Sequence, residues 1–369
     1  MVEIGGWGGI WHYVCCLANA LWDDRVDLQV VTSRDFEEPF NLRFSILPSL
    51  NHTKGYLFNT RELYKTAVSL RPSVLHIQSW ISARRDWVHL LASRAIKLPV
   101  VVTAHNLLPH DLEERHAPFM FWAFQKIYRT ADAIFVHSSA NKENLLQTYR
   151  IPENKVISIK HGNYRFFAEK HTVDLAAARK EYLGQNAHRR TFLIFGAMRH
   201  YKGIDLAIKA MSHLSRLNDM HLLVAGKPDS RVLKMCKELA SDFNLLGHVT
   251  FLPGYFSDQE VAKMHSAADI CIFPYRDIFQ SGALMTALAF GKPILAASVG
   301  SFPETVNSRN SWLVKPNCIE SITEAFEKAL SVTDADLISM GRESLRISTE
   351  EHDWAEIARK TKEIYLSLR

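Results

Sequence analysis

At 369 residues, with 47% hydrophobic and 22% charged content, the chain is long enough for two domains and has the composition of a globular protein. Its net charge of +5 is too mild and too scattered for a dedicated nucleic-acid binder; it fits anionic small molecules or a membrane surface. Five cysteines without metal-ligand spacing and the absence of any roughly 18-residue apolar run argue against a metal or redox centre and a membrane span.

The opening "MVEIGGWGG" lacks the basic start and apolar run of a signal peptide. Its first residues read as the tail of a strand, so the chain is expected to start late or to lack part of its first strand. The glycine-rich "GGWGGIWHY" then opens a helix. It is not a dinucleotide fingerprint, because the third glycine position holds Trp11, and no nicotinamide cofactor is expected. Strands follow at 28–33, 74–78, 99–106, 133–138 and 156–162, and a second series at 191–196, 221–226, 249–254, 270–275 and 293–298. These runs are continuously apolar, which implies burial on both faces and parallel sheets covered by helices. Helical periods occupy 204–215, 229–243 and 258–267. The expected architecture is therefore α/β, with two Rossmann-like doubly wound domains, divided as 1–168 and 169–351. The charged, strand-free stretch 164–190 reads as the hinge. An amphipathic helix from Trp354, with Asp353 as its N-cap, closes the chain and is expected to return to the first domain.

At about 100° per residue along 115–129, Arg115, Phe119, Trp122, Lys126 and Arg129 share one face, and Met120, Phe121, Phe124, Ile127 and Tyr128 lie opposite. The second face reads as core. The first mixes aromatics with cations, as an interfacial membrane helix does, and as solvated cations over packed aromatics also do. The segment 80–97 repeats the mixture. Buried, reduced cysteines place the protein in the cytoplasm, with the inner face of the membrane as a candidate docking surface.

In doubly wound sheets, ligands bind beyond the carboxyl ends of the strands. The residues found there are Gly8 and Gly9, His105 and Asn106, His161 and Gly162, Gly196, Gly226 with Lys227, and Tyr275. In "TFLIFGAMRHYKG", Arg199 and Lys202 follow a buried strand and precede a helix; two cations beside a helix start suit a diphosphate. A solvated loop with two surface charges is the other reading. Gln280, Ser281, Gly282 and Ala283 open another helix, and Glu304 follows the next strand, either as a ligand contact or as a helix-capping acid.

The stretches "GGWGGIWHYVCCLANAL", "FGAMRHYKGIDLAIKAM", "GHVTFLPGYFSDQEVAKMHSAADICIFPY" and "QSGALMTALAFGKPILAASVGSFPETV" together resemble family 4 retaining glycosyltransferases of the GT-B fold. The resemblance runs over nearly the whole chain. It implies a nucleoside-diphosphate sugar held mainly by the C-terminal domain, with Arg199 and Lys202 on the diphosphate and no metal or other cofactor required. Gly8 and Gly9 would approach the diphosphate and acceptor, and His105 the reacting sugar. Asn106, His161 and Gly162 read, from their strand-end positions, as acceptor or cleft contacts. Gly196, Gly226, Lys227, Tyr275, Gln280, Ser281, Gly282, Ala283 and Glu304 would line the donor. It also implies same-face attack by the acceptor hydroxyl, whose proton passes to the departing diphosphate. The acceptor would be a glycan or a lipid-linked saccharide. The chain departs from the family in one respect. Two glutamates that often lie eight positions apart there are Ile278 and Thr286 here, leaving Asp277, Gln280 or Ser281 to take their place. That departure keeps open a non-catalytic nucleotide-sugar binder, and the fold also admits an epimerase or phosphorylase.

Overall fold

The computed structural model describes residues 1–23, 26–51, 56–79, 97–106 and 117–368. It divides into two compact units, Met1–Gly162 with His352–Arg369, and Asn163–Glu351.

Among its described residues the first unit holds six parallel strands, β1 (Gln29–Ser33), β2 (Ser45–Leu50), β3 (Leu75–Ser79), β4 (Val100–Ala104), β5 (Ala133–Val136) and β6 (Val156–Ser158). β1 pairs with β2, and β3 to β6 follow one another. Val2 bridges both Val31 of β1 and Ile77 of β3, so the first residues run between the two groups. The Met1 amine donates to the Gln29 carbonyl at 2.7 Å, and burial lowers its pKa to about 5. One face of the sheet packs against Trp11, Val14 and Leu17 of the helix Gly8–Leu21 and against Ile357 and Ala358 of the helix Trp354–Ser367. Asp353 occupies the N-cap position of that last helix without a side-chain capping bond.

The second unit contains β7 (Arg190–Phe195), β8 (Met220–Gly226), β9 (Val249–Pro253), β10 (Ile270–Phe273), β11 (Ile294–Ala297) and β12 (Ser311–Val314). They form one parallel sheet in the order β12-β11-β10-β7-β8-β9. The winding reverses between β7 and β10, where the carboxyl ends of adjacent strands open a crevice. The stretch 164–190 is not a free hinge. It forms the helices Phe166–Glu169 and Leu175–Leu183, and Arg179 ties the second of these to the Ala267 carbonyl at 2.8 Å and to Asp269 at 3.1 Å. The helix expected over 204–215 stops at Met211.

Candidate functional site

At the reversal point of the second unit, the turn after β7 carries Arg199 and Lys202. Lys202 folds back, donating from Nζ to the Phe195 carbonyl at 3.0 Å, and its ammonium lies 5.3 Å from the centre of the Tyr275 ring. Gly196 makes this possible: its φ is +104°, and a Cβ there would sit 2.6 Å from Nζ. Lys202 is buried, and burial lowers its pKa to about 8. Arg199 is half exposed and pairs with Asp229 at 3.1 Å. Asp229 also caps the helix Ser230–Asp242, accepting from the N–H groups of Arg231 and Val232. The Val232 hydrogen bond, with help from Arg231 and Arg199, holds the Asp229 carboxyl below the usual range.

The turn itself is clamped by Arg276, whose backbone N–H donates to the Tyr201 carbonyl and whose guanidinium reaches the His200 carbonyl at 2.9 Å. The same guanidinium grips Asp205 in bidentate fashion at 2.9 and 2.7 Å. On the β10 side, Ser281 caps the helix Gly282–Ala289 by accepting from the Leu284 N–H, and Gly282 lies against the Tyr164 ring. Gln280 accepts a hydrogen bond from Ser301. Ala283 is partly exposed, and Lys227, Asp277 and Glu304 are exposed. Gly226 closes the floor, because any Cβ there would collide with the Gly196 carbonyl. The structure thus brings Arg199, Lys202, Gly196, Gly226 and Tyr275 together around the ends of β7, β8 and β10. Sequence reasoning missed Asp229, Arg276, Asp205 and Tyr164. Asp229 alone had a signal, standing as the first residue of the helical period 229–243.

In the first unit, the glycine loop is anchored by a residue the sequence reading passed over. The Glu3 carboxylate is fully buried and accepts the N–H groups of Gly5 at 2.8 Å and Gly6 at 2.7 Å. Gly8 and Gly9 begin the helix, and a Cβ on either would meet nothing within 4 Å. His105 is buried beyond β4. Its Nε2 lies 2.9 Å from Gln78 Oε1, its Nδ1 3.3 Å from His137 Nε2, and the Tyr13 ring meets it edge-on at 4.8 Å. Asn106 is partly exposed, and its carbonyl accepts from the Tyr128 hydroxyl. His161 is enclosed rather than open: its Nδ1 donates to the Gly162 carbonyl, and its ring packs on Tyr13 and Trp354. Gly162 has a packing role, since a Cβ there would run into the Trp354 ring. Burial holds His76, His105 and His161 well below the ordinary histidine pKa, and His137 at about 4.

On the helix Ala117–Thr130, Phe119 and Trp122 are each 47% exposed, and Lys126 and Arg129 are exposed beside them. Phe124, Ile127 and Tyr128 are buried, as expected; Phe121, expected in the core, is instead 37% exposed and stacks on Tyr149. Arg115, the segment 80–96 and His110, the second histidine of the "TAHNLLPHD" stretch that the sequence offers as a loop histidine, lie outside the described residues. No described helix is long and apolar enough to cross a membrane, and no group of metal ligands forms among the described residues.

Residues 7–162 match the model for Glycosyltransferase Family 4, and residues 177–343 match that for Glycosyl transferases group 1. The chain belongs to glycosyltransferase family 4. Its relatives include D-inositol 3-phosphate glycosyltransferases. That of Mycobacteroides abscessus is 28% identical over 66% of this chain and 55% of its own length. That of Corynebacterium aurimucosum is 25% identical over 79% and 71%. The chain thus spans between about half and seven-tenths of the curated relatives it matches. The GT-B fold recurs in HepE of Anabaena in complex with UDP and glucose, with a TM-score of 0.79 and 15% identity over 99% of this chain and 98% of that one. It recurs in sucrose-phosphate synthase from Thermosynechococcus elongatus, with a TM-score of 0.77 and 20% identity over 100% and 95%. In this family 4 glycosyltransferase, Ile278 and Thr286, the positions of the missing glutamates, are both buried, and Thr286 donates to the Gly282 carbonyl.

Proposed function

We propose that this glycosyltransferase moves a sugar from a UDP- or GDP-sugar to a glycan or lipid-linked acceptor, with retention at the anomeric carbon and without a metal. The observation that carries the reading is the placement of Lys202 and Arg199 at the reversal point of a doubly wound sheet, where a diphosphate would meet two cations. The helices beginning at Ser230 and Gly282 start nearby in sequence from strand ends and offer N–H donors. The bond from the anomeric carbon to the diphosphate oxygen breaks, and the acceptor oxygen bonds to that carbon on the same face. The acceptor's proton passes to the leaving diphosphate. Tyr275, Gly196 and Gly226 shape the floor; Gln280, Ser281, Ala283, Lys227 and Glu304 are the candidates for ribose and sugar contacts. Gly8, Gly9 and Asn106 are assigned to the acceptor side. The aromatic and basic face of the helix Ala117–Thr130 supports docking on an anionic membrane, from which a lipid-linked acceptor would be drawn.

Replacing Arg199 or Lys202 by alanine is expected to lower kcat about 100-fold or more, the scale of losing a preorganised charge donor. Near wild-type turnover in both variants would remove the assignment. The lack of both glutamates, at Ile278 and Thr286, supports one second reading, a nucleotide-sugar binder that does not transfer. It predicts tight nucleotide binding with no donor hydrolysis, measured on the same protein.

A further inference from the structure

A row of buried polar groups crosses the first unit, from Gln78 in β3 to His105, His137 and Ile159 just past β4, β5 and β6, and its hydrogen bonds have a direction. The Ile159 carbonyl can only accept, so His137 Nδ1, 3.1 Å away, donates. A neutral His137 then has a lone pair on Nε2. That atom faces His105 Nδ1 at 3.3 Å, so His105 Nδ1 carries the proton. His105 Nε2 is left with a lone pair, and the group facing it at 2.9 Å is the Gln78 side chain. Only the amide nitrogen of Gln78 can donate to it. Turning the amide over, an exchange between two ends of nearly identical shape, puts that nitrogen toward His105. It also sets the amide oxygen toward His76 Nε2, 3.2 Å from the Gln78 amide's other end, where a donated proton is well received. His76 Nε2 also meets the Thr103 hydroxyl at 2.6 Å, and His76 Nδ1 accepts from the Tyr365 hydroxyl at 2.5 Å.

The opposite orientation of Gln78 fails on each of its three versions. With the proton on His105 Nε2 alone, two lone pairs face each other between His105 and His137. With protons on both nitrogens, an imidazolium is enclosed by His76, His137, His161 and the Tyr13 ring, and burial works against that charge. With a second proton on His137 Nε2, the charge sits on a buried ring whose pKa burial lowers to about 4.

We infer that His105 is locked as the neutral Nδ1–H tautomer by the Gln78–His105–His137–Ile159 chain, with Gln78 and His137 as its positioning residues. Both ring nitrogens are thereby engaged, Nδ1–H by His137 and the Nε2 lone pair by the Gln78 amide, so the chain fixes where the His105 ring stands. The effect of that placement on turnover rests on the sugar-transfer reading; the tautomer does not.

The test is the nitrogen-15 spectrum of the His105 imidazole in the full chain, assigned by comparison with His105→Asn. The expected pattern is a protonated Nδ1 and an unprotonated Nε2 at neutral pH. His137→Leu removes the acceptor and should release the tautomer, lowering kcat/KM about fivefold, while His137→Gln, which restores an acceptor oxygen, should recover both. If His137→Leu does not fold, Gln78→Glu serves: a carboxylate facing Nε2 accepts only, so it should draw a second proton onto His105 near neutral pH. A protonated Nε2 in the wild-type protein would overturn the chain while leaving glycosyl transfer intact. The expected tautomer shift in His137→Leu with unchanged kcat/KM would overturn the positioning role.

Discussion

Burial beneath Phe195 and Tyr275 brings Lys202 to a pKa of about 8, so near that pH its charge is conditional. The unfolded chain holds this proton up to about pH 10.5, so between pH 8 and 10.5 it binds more protons than the folded one. The stability of the ligand-free protein should therefore rise with pH across that window, on the order of 3 kcal/mol. A diphosphate beside Lys202 would favour the charged form and restore the proton. Binding of a nucleoside diphosphate at pH 8 is thus expected to take up about half a proton. Calorimetry in buffers of different ionisation enthalpy measures it, and Lys202→Met should bind without uptake. No uptake in the wild-type protein would place the diphosphate elsewhere. Arg199 and Lys202 were legible in the sequence because they directly follow an apolar run. Their partners were not: Asp229 lies 30 residues from Arg199, and Arg276 lies 71 from Asp205. The histidine chain was hidden for the same reason. Thr103 pairs with Phe135, and Phe135 with Ile157, so His105, His137 and Ile159 line up two residues further on. Only strand register brings them together.

Among the elements, ten of the twelve described strands stand in the sequence as apolar runs. The two that do not, β2 and β12, are edge strands of their sheets. β2 reads "SILPSL", with exposed positions and Pro48 in its middle, and β12 is a four-residue "SWLV". A strand covered on one side only needs no continuous apolar run, and an edge tolerates proline. The stretch 164–190 misled in the opposite sense. Several of its charges, Glu169, Lys170, Asp174, Lys180 and Glu181, are exposed on or beside short helices, and a polar surface resembles a linker. The helix Ala117–Thr130 was read more successfully, because a 100° period separates its faces cleanly. Its exposed Phe119, Trp122, Lys126 and Arg129 lead to an element-level expectation. Reversing Lys126 and Arg129 to glutamate should weaken binding to vesicles containing anionic lipid by at least about tenfold, given roughly 1 kcal/mol per basic residue at such a surface. Co-sedimentation measures it, and equal binding by the double variant would rule out this face as the docking surface.

For the molecule as a whole, the chain leaves the first unit at Gly162 and returns to it at His352. That unit is therefore not finished until the segment from His352 onward is made. The closing contact is specific. The Trp354 ring lies against the Gly162 α-carbon and edge-on to Tyr13 at 5.2 Å, while His352 Nδ1 donates to the His161 carbonyl. Lower down the same helix, Lys362 pairs with Asp23 at 2.8 Å. Trp354→Ala is expected to destabilise the first unit by about 3 kcal/mol through the cavity it leaves. Hydrogen exchange should accelerate around Tyr13, Phe135 and Ile159 and stay unchanged in β7 to β12, because the second unit is built from one continuous segment. Gly162→Ala attacks the same contact from the other side, by pushing a methyl group into the ring. Removing the ring removes that clash, so the added cost of Gly162→Ala should largely vanish in the Trp354→Ala background. Additive losses in the double variant would show that the tryptophan does not seat the returning helix on Gly162.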